Sequence, residues 1–97
     1  MHLAARGGHV EAVRLLVVEF GANAHAKTKD GQMPLHFAAK EGRTKVVSLL
    51  VTQFGVDWNV SDKKRRTPLR LATIGCHRGI ERFLYKEKMK GLSARNM

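Results

Sequence analysis

Residues Asp30–Val51 read DGQMPLHFAAKEGRTKVVSLLV, and the order of residue types in this stretch decides the fold. Asp30-Gly31 is a turn signal. Pro34 opens a short helix, at a first-turn position where its missing N–H breaks no helical bond. Leu35, Ala38 and Ala39 form its stacking face, and the small alanines let helices approach closely. Gly42 stops this helix. Thr44 is a candidate N-cap for a second one, in which Val46, Val47, Leu49, Leu50 and Val51 make an apolar stripe.

Working outward, the same grammar appears on both sides. Leu35, His36, Ala38 and Ala39 answer to Met1, His2, Ala4 and Ala5, 34 positions earlier. Leu35 and Ala38 recur 34 positions later as Leu69 and Ala72, and Pro34 recurs as Pro68. A fixed period of this size means stacked supersecondary units, each unable to bury its apolar face alone.

The run MPLHFAAKEGRTKVVSLL resembles an ankyrin repeat, whose pattern is a T-P-L-H-x-A helix start, a glycine and a second leucine-rich helix. The resemblance covers Met1 to about Lys88 and implies an all-α repeat solenoid of helix-turn-helix units with β-hairpin or loop fingers. It divides the chain into a truncated repeat (1–29), a full repeat (30–63), a C-terminal capping repeat (64–88) and a flexible tail (89–97). His2 and His36 match the family histidine, which braces neighbouring hairpins through hydrogen bonds.

This chain departs from the family in three ways. The period is 34 residues, against about 33 for the family. The extra residue falls before Gly21 and Gly55, in VVEFG and VTQFG. It predicts either a lengthened second helix or a one-residue bulge after it, with Phe20 and Phe54 tucked under the neighbouring hairpin. Met33 replaces the threonine and leaves its helix without a hydroxyl cap, which Thr67 supplies one repeat later. Arg70 replaces the histidine of the third copy.

The two ends of the array differ. Met1 occupies the place of Leu35, so an apolar N-terminal face is expected. Either the chain belongs to a longer array or another chain covers that face, by self-association for example. In the third copy Glu81 stands where Val13 and Val47 stand earlier, the polar replacement a terminal repeat needs.

The net charge of +10 is uneven: residues 64–97 hold ten Lys and Arg against two acids, +8 of the total. Such a charge governs steering and attraction to anions, not the fold. There is no apolar run of membrane-spanning length and no signal-peptide pattern. Cys76 is the only cysteine, so no internal disulfide can form, and a reducing intracellular setting, cytoplasmic or nuclear, is expected.

Nothing in the sequence points to catalysis or to a cofactor. Gly7-Gly8 lacks the strand and third glycine of a dinucleotide fingerprint. Cys76-His77 has no second pair at metal-ligand spacing. The expectation is a non-catalytic protein-interaction module, with no cofactor and no metal. Lys63-Lys64-Arg65-Arg66 replaces the Asp30-Gly31 turn at the tip of the second hairpin. It fits a solvated loop, an acidic partner, a nuclear-import tetrad or a phosphate contact.

The resemblance places partner binding on the hairpin tips and the exposed face of the short helices. Here those positions are Arg6, Lys29, Asp30, Gln32, Lys40, Glu41, Lys63, Lys64, Arg66 and Ile74, with Trp58 either an exposed anchor or packed under its hairpin. The alternative is binding of a polyanion, nucleic acid or anionic lipid, by the basic last third. Nucleic acid is the weaker reading, because stacking aromatics and a groove-reading helix are lacking. Some ankyrin proteins are hydroxylated on a hairpin asparagine, a position held here by Asn59 and His25.

Overall fold

The computed structural model describes residues 2–19, 21 and 23–95. Among these described residues six helices follow one another: α1 (His2–Arg6), α2 (Val10–Val18), α3 (Pro34–Lys40), α4 (Thr44–Thr52), α5 (Pro68–Ile74) and α6 (Arg78–Arg95). They form three helix pairs. The short helices stack in one layer, α1 on α3 and α3 on α5, and the second helices in another, α2 on α4 and α4 on α6. Ala5, Ala38, Ala39 and Ala72 are fully buried in the short-helix layer. Val13, Val46, Val47, Leu50, Ile80 and Leu84 are fully buried from the other. That continuous core takes the place of three separate ones.

Each pair turns on a left-handed residue, because the chain must reverse within two or three positions. Gly8 (φ 75°), Gly42 (φ 74°) and Cys76 (φ 59°) hold this place in successive repeats. A Cβ on Gly42 would lie 2.7 Å from the His77 ring, so glycine is also required there by space.

The extra residue of the period is absorbed after the second helix, not within it: α2 and α4 are both nine residues long. The Phe54 N–H reaches Leu49 O (3.4 Å) and the Val56 N–H reaches Leu50 O (3.0 Å). These wide turns, closing on Gly55 at φ 61°, are the one-residue bulge. Phe54 is half-buried against the core; Phe20 lies outside the described residues.

Two local expectations are corrected, the cap of α4 and the end of α6. Thr44 is the first residue of α4, not its cap, and Arg43 precedes it without a side-chain cap bond. Of the two forms expected for the fingers they take the loop, with no strand among the described residues. They are tight loops, closed by Thr28 N–H to Gln32 O and by Asp62 N–H to Arg66 O, each 2.9 Å. The last helix does not stop near Lys88 with a tail from Met89 but continues to Arg95. Arginine, leucine, tyrosine, lysine, glutamate and methionine are good or adequate helix formers, and no proline interrupts them. Thr67, in contrast, caps α5 as expected, its Oγ1 accepting the Arg70 N–H at 3.2 Å.

The stack has unlike ends. On the first repeat Leu3 is 79% exposed and Leu15 46%, and Ala12 is exposed, whereas Val46 and Leu49 are buried at the equivalent positions. On the third repeat three apolar positions have been rewritten. Buried Ala39, Val47 and Val51 become exposed Thr73, half-buried Glu81 and exposed Tyr85.

Candidate functional site

The fingers are built on a single repeated device. Thr28 Oγ1 accepts the N–H groups of Asp30 and Gln32, both at 3.3 Å. One period later, Asp62 Oδ1 accepts those of Lys64 (2.9 Å) and Arg66 (2.8 Å). The carboxylate adds what a hydroxyl cannot: Oδ2 also accepts from Arg66 Nε (3.0 Å) and, across the finger gap, from Gln32 Nε2 (3.2 Å). These donors hold the Asp62 carboxyl down at about 2, against the burial that would raise it. The backbone completes the link, Lys63 N–H donating to Asp30 O at 2.9 Å. Two neighbouring fingers thus form one edge.

His36 braces the same edge from below. It is fully buried. Its Nδ1 accepts the Met33 N–H (3.0 Å), which leaves the proton on Nε2 to be donated to Arg66 O (3.2 Å). Burial is the largest influence on this ring and pushes its pKa below the usual value, opposed by the carbonyl it serves. The neutral tautomer is the one the bonds require. His2 also bonds a finger carbonyl in the preceding repeat, but a different one: its Nε2 meets Ala26 O at 3.0 Å, the position of Val60 and not of Arg66. The family histidine therefore acts structurally at both positions.

A second inter-repeat latch was not legible. Arg43 Nε donates to Arg6 O, and His77 Nε2 meets Lys40 O, both at 2.9 Å. Arg43 and His77 lie 34 apart, as do their acceptors Arg6 and Lys40. The sequence signal was the period itself, hidden because one residue is an arginine and the other a histidine. His77 is thereby engaged with backbone, and among the described residues no group of three or more His, Cys, Asp or Glu side chains could hold a metal.

The partner-binding candidates divide into two groups. Arg6, Lys29, Asp30, Lys40, Lys63, Lys64 and Ile74 are exposed. Arg6, Lys40 and Ile74 occupy one column, the ends of α1, α3 and α5. The others are partly engaged. Gln32 and Arg66 serve Asp62, Glu41 lies 3.5 Å from Arg6 in an ion pair, and Trp58 is half-buried against the core. The tetrad is split: Lys63 and Lys64 face solvent, Arg65 is held left-handed at φ 62° in the place of Gly31, and Arg66 is tied to Asp62. Asn59 and His25 are exposed and equivalent, each N–H bonded to the side-chain oxygen two residues before, Asp57 Oδ1 and Asn23 Oδ1.

Stacked helix pairs, looped fingers and histidine braces define a class, the helical repeat proteins that present a finger edge and a short-helix face. The family described as ankyrin repeats, in 3 copies, matches residues 1–95. The chain belongs to the ankyrin-repeat family. Ankyrin repeats generally mediate protein–protein interaction and are typically non-catalytic. A search of curated proteins found no match. Among the described residues no helix is long and apolar enough to cross a membrane.

Proposed function

We propose that this chain recognises an acidic protein surface or peptide through the finger edge and the exposed ends of its short helices. The observation that carries this reading is the bond from Lys63 N–H to Asp30 O, 2.9 Å long. It fuses adjacent finger tips, so that Lys29, Lys63 and Lys64 project from one braced edge instead of from independent loops. Preorganised cations lose less freedom on binding than mobile ones. Lys40 and Arg6 extend the positive strip along the short helices, with Ile74 (64% exposed) as an apolar contact at its end.

The test compares proteins captured by the wild-type chain and by a Lys63→Glu/Lys64→Glu variant, at ~0.15 M and at ~0.5 M salt. Acidic partners retained by the wild type at the higher salt and lost by the variant support the reading. Capture that disappears entirely with salt, together with tight binding to heparin or anionic vesicles, would favour polyanion binding by the basic last third, for counterion release makes such binding steeply salt-dependent.

A further inference from the structure

The polar end of the stack carries a groove that shares no residue with the finger edge or the short-helix strip. It is open to solvent and spans about 600 Å³ between α5 and α6. Leu69 and Thr73, one turn apart, form its α5 wall. Arg78, Arg82 and Lys86 follow at intervals of four along α6, with Glu81 and Tyr85 beside them. We infer that this groove docks an acidic protein segment, one that lays an apolar side chain against Leu69 and Tyr85 and pairs its carboxylates with the α6 cations.

Three observations favour that occupant. The end is not shaped for another repeat, because Thr73, Glu81 and Tyr85 replace the buried Ala39, Val47 and Val51 of the preceding unit. The row Arg78, Arg82, Lys86 is not there for the helix, since like charges at this spacing repel and weaken it. All three are exposed and of the sign that attracts carboxylates. The surface between them is also partly apolar: Tyr85 is 57% exposed, and Met89, one turn further, 45%.

Glu81 decides between classes of anion. A carboxylate inside the groove repels a continuous phosphate chain, whereas a peptide can turn a backbone N–H toward it. Aromatic and aliphatic contact surface with a charged rim is the composition of a protein-binding site. The inference is independent of the finger edge.

The experiment is a nuclear magnetic resonance titration of the isotope-labelled full chain. The probe is a synthetic peptide of Glu and Asp residues around a central Leu-Phe pair. Shifts centred on Thr73, Glu81, Arg82 and Tyr85 are expected. Affinity is expected to fall about tenfold or more in Arg82→Glu/Tyr85→Ser, and similarly when the peptide's Leu-Phe becomes Ser-Ser. Lys63→Glu/Lys64→Glu is expected to leave it unchanged, which separates this groove from the finger edge. Both α6 residues are exposed, and circular dichroism checks that helicity is kept; the wild-type shift map stands without the variants. No shifts at millimolar peptide, shifts confined to Lys63–Arg66, equal binding of the Ser-Ser peptide, or stronger binding of polyphosphate at the same residues would each overturn the inference.

Discussion

Asp62 stands one period after Thr28 and does the same work with a stronger acceptor, each side chain receiving the N–H groups two and four residues ahead. The carboxylate also receives Arg66 Nε and Gln32 Nε2, so it joins fingers where Thr28 only closes its own. Asp62→Ala leaves the Lys64 and Arg66 N–H groups without their acceptor and is expected to cost about 1.5–3 kcal/mol. Asp62→Thr, which restores the earlier repeat's residue, is expected to cost clearly less. Denaturant unfolding of the two variants checks the order, and equal losses would show that the backbone bonds contribute little.

Acid should weaken the fold in two steps. Protonating His36 breaks its bond from Met33, and its folded pKa lies below the ordinary 6.5. Its contribution is therefore complete above about pH 6.5 and is lost as pH falls from there toward the folded value. Asp62, held at about 2 against an ordinary 3.8, contributes fully above 3.8 and is lost as pH falls through the interval to 2. With allowance for solvent around a surface finger, this second step is worth about 1–2 kcal/mol. Unfolding midpoints from pH 7 to about pH 2 in the wild type and Asp62→Asn test it: the variant should lack the lower step.

Two residues occupy left-handed backbone where the preceding repeat has glycine. Cys76 (φ 59°) corresponds to Gly42, and Arg65 (φ 62°) to Gly31. Relief of that conformation is partly offset by the extra freedom of glycine in the unfolded chain. Cys76→Gly and Arg65→Gly are each expected to stabilise the protein by about 0.5–1 kcal/mol. The reverse change, Gly42→Ala, meets both the strained φ and the His77 ring and should destabilise. Thermal midpoints measure all three, and a lower midpoint for Cys76→Gly would contradict the account.

Leu50 is fully buried on α4, the helix that packs against both α2 and α6. Leu50→Ala is expected to cost about 2–5 kcal/mol. Because neighbouring repeats share one core, the loss should appear as a single cooperative transition at lower denaturant. Leu3→Ala, at an exposed position, should change the midpoint by no more than about 0.5 kcal/mol.

The period of 34, Pro34 with Pro68, and the alternation of glycine breaks with apolar stripes were enough to establish the repeat family and the helix order. Those features act locally or by repetition, and local propensity and periodic burial are written in linear order. The capping by Thr67 was legible for the same reason, whereas the bracing by His36 followed from the family resemblance.

What only the tertiary structure decided concerns residues brought together from different repeats. Asp62 was one acid among eight until Gln32 and Arg66 closed on it, and Arg66 passed from free cation to finger strut. Arg43 and His77 became one latch because different side chains reach the same carbonyl position. The placing of the extra residue depended on how Phe54 and Val56 could satisfy helix-end carbonyls while Phe54 packed inward. Hydrogen bonds across repeats and the fit of a bulge are set by distances between chain segments, and no periodicity encodes those distances.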